Sequence, residues 1–250
     1  SDIADNPEIA RWVDSVGVIV NGLFYNTCGA NLKDTVTFLD NDIKRVVDEQ
    51  GGMELGDLIA AGYRKAAIEN LEKIDSSDVV GLVPYGVIRE GLSAGVVTYN
   101  NVFNVLPLGG NANGHTGYPL VYAYLNGDEL EDVCEMNATL APYIEDVRMF
   151  FSGLEYETGK WRLPFFKVKK VFVNGKPVQK DKLYLVVTGE YTAKLVGTLK
   201  RESYGILSAK LKDKNGVGVD ISNLPVIKSK SGNIITEWLS FARYLGQRVK

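Results

Sequence analysis

A long amphipathic helix followed at once by a short apolar strand is the feature that most constrains this chain. From Glu54 to Ile74 the apolar side chains recur at the spacing of one helix face, and a Ser-Ser-Asp sequence at 76–78 ends the pattern. The apolar run Val79–Val83 that follows is too short for a helix and predicts a buried strand. A helix that leads directly into a buried strand indicates a domain in which helices cover a sheet.

The rest of the chain also mixes helix and strand signals. An Asx cap followed by proline at Asn6-Pro7 predicts a helix start, and Asn174-Gly175 predicts a β-hairpin turn between strands at Phe165–Val173 and Leu183–Val187. The other predicted elements are strands at Thr35–Leu39 and Pro119–Leu125, a strand or short helix-strand unit at Val96–Leu106, and helices at Gly127–Leu140, Thr192–Lys200 and Asn233–Leu245.

The order of these elements indicates the fold class and the domain organisation. Helices and strands occur without strict strand-helix-strand alternation, which favours the α+β class. No repeat, low-complexity tract or linker rich in proline and serine divides the chain. We therefore expect a leading helix within residues 1–30 that connects to something upstream, and one domain over residues 31–250.

Charge and apolar run length limit the partners of the chain. It carries 28 basic and 31 acidic residues, and this net charge of -3 gives no basic surface for a polyanion, so nucleic acid is not expected as a partner. The longest apolar runs, Val16–Val20 and Leu183–Val187, are far shorter than the roughly 20 residues that cross a bilayer. The first five residues show neither the basic nor the apolar region of a signal peptide.

The chain has too few histidine and cysteine residues to form a metal site from these ligands. His115 is the single histidine, and no Cys/His cluster has the spacing of metal ligands. We therefore expect no metal and no other cofactor in this chain. Cys28 and Cys134 could form one disulfide or stay as two free thiols, and the sequence leaves both alternatives open.

Several short segments, each weak alone, occur in an order and spacing that resembles the C-terminal domain of the 5'-nucleotidase family. The resemblance covers residues 50–250 and includes that family's closing helix, here at Ile234–Lys250. The segments that carry it are Glu54–Ile59, Pro84–Arg89, Gly95–Val102, Val105–Gly109, Leu125–Leu130, Phe151–Leu154 and Tyr184–Val187.

The resemblance implies an α+β domain with a mixed sheet and packed helices that forms the pocket for a nucleotide, a nucleoside or another phosphoester. In this family an upstream metallophosphatase domain holds two divalent metals with His, Asp and Asn ligands, and hydrolysis needs that cage of ligands. By resemblance, the chain is the substrate-binding part of a hydrolase of nucleotide catabolism and is inactive alone. An extracellular, periplasmic or cell-surface location is implied in the same way.

The segment that ends in Arg89 is similar to the family's Asn-Gly-Gly-x-Ile-Arg motif, whose arginine and asparagine help to hold the ligand. Ile88 and Arg89 match, and a guanidinium suits a phosphate or carboxylate because its donors form a planar fork. The family asparagine falls at Pro84 and its first glycine at Tyr85, so an amide is lost and the loop must follow a different path. We expect Arg89 and Tyr85 at the pocket, while the alternative for Arg89 is a surface or helix-capping charge.

The family also clamps the base of its ligand between two aromatic rings, an arrangement that tolerates different bases. Where the family has the first ring, in a Pro-Phe-Gly segment, this chain has Leu108, which cannot stack as a ring does. The second position is matched by Tyr191, whose alternative role is that of a core aromatic at a helix start. The Gly-Gly-Asp-Gly segment that usually follows is replaced by Leu-Val-Gly-Thr at 195–198, so its aspartate is missing.

After Leu108 the chain carries about eight residues more than the usual family spacing, at Asn111–Tyr118. This extra segment presents Asn111, Asn113 and His115 among glycines, and we expect it to reach the ligand in place of the lost ring. The alternative is a solvent loop without a ligand role. His115 is not expected to be a catalytic base, because no serine or cysteine nucleophile motif accompanies it.

Two functions from different classes remain. The first is the substrate-recognition domain of a 5'-nucleotidase-like hydrolase, whose partners are a small phosphoester and an upstream metallophosphatase domain. The second is a surface binding module that has lost nucleotide recognition, which the departures at Pro84, Leu108 and Gly197 motivate. Independent hydrolysis by this chain is not expected.

Overall fold

The computed structural model describes residues 6–110, 116–159, 162–196 and 209–248, and helices and strands are intermixed throughout these ranges. The helices are α1 (Pro7–Cys28), α2 (Glu54–Asn70), α3 (Tyr99–Val105), α4 (Gly127–Leu140), α5 (Glu190–Val196) and α6 (Glu237–Arg248). The strands are β1 (Thr35–Leu39), β2 (Val79–Pro84), β3 (Gly95–Thr98), β4 (Leu120–Leu125), β5 (Met149–Ser152), β6 (Leu154–Thr158), β7 (Val168–Val173), β8 (Lys176–Pro177) and β9 (Tyr184–Gly189). Because they do not form repeated parallel strand-helix-strand units, the predicted α+β class is confirmed.

Strand β2 lies inside a four-stranded mixed sheet with the strand order β4, β9, β2, β5. It pairs in parallel with β9 and antiparallel with β5, and β4 pairs antiparallel with the other side of β9. Every residue of β2 and β9 is buried, since both faces of the sheet are covered. The strand predicted at Val79–Val83 is confirmed.

The two faces of this sheet contact separate apolar cores. Val79 and Val83 pack into the core that α2 and α6 share, whereas Val80 packs into the core formed with α4 and β7, because successive side chains of a strand point to opposite faces. Helix α2 approaches β2 so closely that a Cβ on Gly81 would overlap the carbonyl oxygen of Ala60. Glycine at this position therefore sets the distance between helix and sheet.

Helix α1 lies outside these cores over most of its length. The Asn6 side-chain oxygen accepts hydrogen bonds from the N–H groups of Glu8 and Ile9, which confirms the predicted helix start. Phe24 is buried against the ring of Trp238. The exposed large apolar side chains of α1 are Ile9, Trp12, Val13, Val16, Val18, Ile19, Val20, Leu23 and Tyr25. Across the ranges given above, no helix combines the length and the hydropathy needed to cross a membrane.

Two helices are shorter than their apolar patterns. The pattern of α2 continues to Ile74, but the helix ends at Asn70 because the backbone becomes extended at Leu71. The predicted start of the last helix at Asn233 is wrong, because the N–H and carbonyl groups of Ile235 bond to neighbouring chain segments instead of to a helical turn. Tertiary pairing of the backbone overrides the helical spacing at this end.

The Asn174-Gly175 hairpin turn is confirmed, but the strand that follows it differs from the prediction. Strand β7 turns into the short β8 and forms a three-stranded sheet with β6, whereas β9 lies in the central sheet. The segment Val96–Leu106 is a strand followed by a helix, β3 and α3. The helix predicted at Thr192–Lys200 is observed as α5, and its residues after Val196 lie outside the described ranges.

Candidate ligand-binding site

Two tyrosine rings stack on each other where β4 begins and β9 ends. The ring centroids of Tyr118 and Tyr191 are 5.7 Å apart, and the ring planes differ by 20°. Tyr191 is the second residue of α5 and is 41% exposed, so it is a surface residue and not a core aromatic. We call these two residues the aromatic pair.

Tyr118 is held in place by the segment that contains Leu108. Its N–H donates to the Leu108 carbonyl oxygen (3.1 Å), and the N–H of Gly117 donates to the Gly109 carbonyl oxygen (2.9 Å). Gly109 has a φ of +90°, and a Cβ there would lie 2.5 Å from Cγ of Tyr118, so both the backbone and the ring require glycine. An aromatic ring thus lies against this segment, although Leu108 itself is aliphatic and half-buried.

Arg89 is exposed and is tied to the same segment through the backbone. Its N–H donates to the carbonyl oxygen of Val105 (2.8 Å), three residues before Leu108. Among the described residues, its guanidinium has no hydrogen-bond or ion-pair partner, so its donors are not engaged in a helix cap there. Backbone hydrogen bonds therefore link both Arg89 and Tyr118 to the Val105–Gly109 segment, and Tyr191 joins them through its stacking on Tyr118.

Tyr85, four residues before Arg89, packs against a second arginine. It begins a short 3-10 turn and is only 7% exposed, and the guanidinium carbon of Arg45 lies 3.8 Å from the centroid of its ring. The Nε of Arg45 also donates to the carbonyl oxygen of Ile88 (2.6 Å). Arg45 is thus a second arginine beside the Arg89 segment, which the sequence did not predict because it stands in a charged stretch without a motif.

The loop that we expect to reach the ligand is described only from Thr116 onward. Asn111, Asn113 and His115 lie outside the described residues, and their ligand roles stay predictions. At the described end, the carbonyl oxygen of Thr116 accepts a hydrogen bond from Nε1 of Trp238 (2.8 Å). This contact ties the loop end to α6.

A buried residue, Glu237, contacts the chain next to both members of the aromatic pair. Glu237, the first residue of α6, is 2% exposed, and its Oε1 accepts a hydrogen bond from the Tyr63 hydroxyl (2.7 Å). Burial raises the pKa of Glu237 from 4.5 to about 7, and the Tyr63 hydrogen bond opposes this by a smaller amount. Its backbone N–H donates to the Tyr118 carbonyl oxygen (3.0 Å), and its carboxyl packs on Gly189 so closely that a Cβ there would overlap it.

Metal-ligating side chains do not converge in the part of the chain that the structure describes. No group of three or more His, Cys, Asp or Glu side chains there could hold a metal ion. Cys28 is half-buried and Cys134 is buried, and both are free thiols. The described groups can stack on a planar ligand and pair with an anion, which is chemistry of binding.

The fold is that of an α+β domain in which Arg89 and the aromatic pair are linked to the same chain segment, Val105–Gly109. Residues 30–198 match the family described as 5'-nucleotidase, C-terminal domain. This chain belongs to that family, which confirms the resemblance drawn from its short segments. Among curated proteins, no sequence matches the chain.

Solved structures agree on the fold. A 5'-nucleotidase precursor from Thermus thermophilus has a TM-score of 0.59 at 20% identity, over 86% of this chain and 37% of its own. An NAD nucleotidase from Haemophilus influenzae has a TM-score of 0.57 at 18% identity, over 87% of this chain and 36% of its own. A sulfate thiohydrolase from Thermus thermophilus, in complex with glycerol, has a TM-score of 0.53 at 16% identity, over 87% of this chain and 33% of its own. This chain thus spans well under half the length of each.

Proposed function

We propose that this chain is the substrate-recognition domain of a 5'-nucleotidase-like phosphoester hydrolase. In this proposal the domain binds a nucleotide, a nucleoside or a related phosphoester. The match of residues 30–198 to the 5'-nucleotidase C-terminal domain carries the proposal. The exposed Tyr191 offers a planar face for a base, and the exposed Arg89 offers a fork of donors for a phosphate. The 5'-nucleotidase and the NAD nucleotidase with the same fold support this class of ligand.

The hydrolytic chemistry belongs, in this proposal, to a metallophosphatase domain upstream of the chain. Two divalent metals there would supply the activated water and the charge stabilisation. The described residues do not fit such a centre, because no group of ligands converges among them, so we assign no hydrolytic step to this chain. Residues 1–30, with the exposed apolar side chains of α1, would lead from that domain. The whole protein would act outside the cytoplasm, in a periplasm or at the cell surface.

Calorimetric titration of the chain with adenosine, AMP and a sugar nucleotide tests the proposal. We expect Arg89→Ala to weaken AMP binding by roughly tenfold or more, since a hydrogen bond to a charged group contributes about 1.5–3 kcal/mol, and to affect adenosine less. Tyr191→Ala should weaken all three, because base stacking contributes about 1–3 kcal/mol. Arg11→Ala, on the exposed surface of α1, is the matched control and should change nothing.

The second candidate is a surface binding module that has lost nucleotide recognition. The contact between the two rings of the aromatic pair favours it, because no gap for a base lies between them. If a folded chain binds none of the three ligands across the whole pH range used below, the module is the better explanation.

A further inference from the structure

We propose that Glu237 is a positioning residue that latches the aromatic pair closed, and that loss of its proton releases the pair for a planar ligand. The inference rests on the proposed function, because the planar ligand is the base expected there. Its evidence is the closed geometry of the pair, the contacts of Glu237 with Tyr118 and Gly189, and the absence of a cation at its carboxyl in the described residues.

The aromatic pair is closed in this structure. A planar group held between two rings needs two van der Waals contacts of about 3.5 Å each, and therefore about 7 Å between the ring planes. The centroids of Tyr118 and Tyr191 are only 5.7 Å apart. A base can enter between them only after the rings separate, so whatever holds the rings together opposes binding.

Glu237 contacts both sides of the pair. Through its backbone N–H it holds the carbonyl group of Tyr118, and through its carboxyl it covers Gly189, which lies two residues before Tyr191. Leu120 and Gly189 are direct partners in the β4–β9 ladder, so both contacts fall at the same end of that ladder. A movement of the first turn of α6 would therefore change both supports at once.

The protonation state of Glu237 determines how stable its buried position beside the closed aromatic pair is. Its carboxyl contacts Tyr63 of α2 and Gly189 of β9. Among the described residues, Tyr63 is the titratable group that acts on it, and no charged side chain does. A buried carboxylate without a facing cation is costly, whereas a neutral carboxyl is tolerated. Because burial brings the pKa of Glu237 to about 7, the neutral form gives way to the charged form near neutral pH. The charged group gains hydration only by moving outward, which strains the bond to Tyr118.

The ligand-free chain provides the first test. We expect the near-ultraviolet circular dichroism of the tyrosines to change between pH 5.5 and 8.5 with a midpoint near 7, and Glu237→Gln to abolish the change. Tyr63→Phe should move the midpoint to higher pH, because it removes the hydrogen bond that favours the charged carboxylate. A residue with a merely structural role would not shift that midpoint. His115→Gln is the control for the single histidine, whose ordinary pKa of about 6.5 falls in the same range, and it should leave the transition in place.

Adenosine binding provides the second test, since adenosine lacks the phosphate that itself titrates near pH 6 in AMP. We expect its affinity for the chain to rise severalfold from pH 6 to pH 8.5, and the affinity of Glu237→Gln to stay low and independent of pH. Binding without pH dependence overturns the latch and leaves the proposed function intact. Absence of binding at every pH counts against the proposed function. In that case the circular dichroism of the ligand-free chain still tests the latch. The latch is overturned if the spectrum does not change with pH, or if Glu237→Gln shows the same change.

Discussion

Glu237 makes the stability of the fold depend on pH. Between pH 4.5 and about 7 the unfolded chain loses the proton of this residue while the folded chain keeps it. The contribution of this residue to the free energy of unfolding should therefore fall by about 3 kcal/mol as the pH rises through this window. Above the window it should stay constant. Urea denaturation of the protein and of Glu237→Gln at pH 4.5 to 8 measures the difference. The variant should lose this part of the slope, and parallel curves would contradict the prediction.

Single site residues were predictable only where their chemistry is visible in a motif. Arg89 and Tyr191 follow from the family pattern, and the structure shows both on the surface. Tyr118 belongs to the loop expected to replace the missing ring, but its stacking depends on the contact with Gly109, which pattern alone does not show. Arg45 and Glu237 were missed because the first stands in a charged stretch and the second begins an apolar helix.

At the scale of elements, helix α2 packs closely on strand β2 at Gly81. Gly81→Ala places a Cβ against the backbone of Ala60, so we expect it to lower the free energy of unfolding by about 1–3 kcal/mol. Gly17→Ala in α1 is the matched control, since nothing lies within 4 Å of its added Cβ and alanine favours helix by up to about 1 kcal/mol. Chemical denaturation of both variants tests the pair, and equal stabilities would refute the close approach.

Most elements were predictable because local spacing and turn chemistry agree with the fold. The buried strand β2, the cap of α1 at Asn6 and the Asn174-Gly175 turn are cases in which a few neighbouring residues contain the whole signal. The start of α6 and the placement of β9 were not predictable, because backbone groups distant in sequence decide them. The mixed sheet therefore had to come from the family resemblance.

At the scale of the whole molecule, α1 exposes an apolar surface to solvent. We expect an apolar fluorescent dye to bind the chain, and the double variant Trp12→Ser with Val13→Ser to reduce its binding, because these side chains are 69% and 55% exposed. Stability should change little, since neither side chain is in a core. Phe38→Ser, at an exposed position on β1, is the control, and an equal reduction there would argue against a special role of α1.

The chain alone should show no metal-dependent phosphatase activity. The proposed function assigns both metals to the upstream domain, and no group of metal ligands converges among the residues that the structure describes. Release of phosphate from AMP and from p-nitrophenyl phosphate, measured with added Mg²⁺, Mn²⁺ or Zn²⁺, should stay at the uncatalysed rate. Phosphate release that a chelator abolishes would contradict the proposal that hydrolysis belongs to the upstream domain.

The parallel pairing of β2 with β9 has a consequence for how this chain acquires its fold. Val79 pairs with Leu185, and everything between them must be synthesised before the centre of the sheet can close. Non-local pairing of this kind slows folding, because the entropy of loop closure is lost before the contacts form. During synthesis β2 can pair with β5 but lacks its parallel partner β9. A chain truncated before Tyr184 should therefore be prone to aggregation and proteolysis.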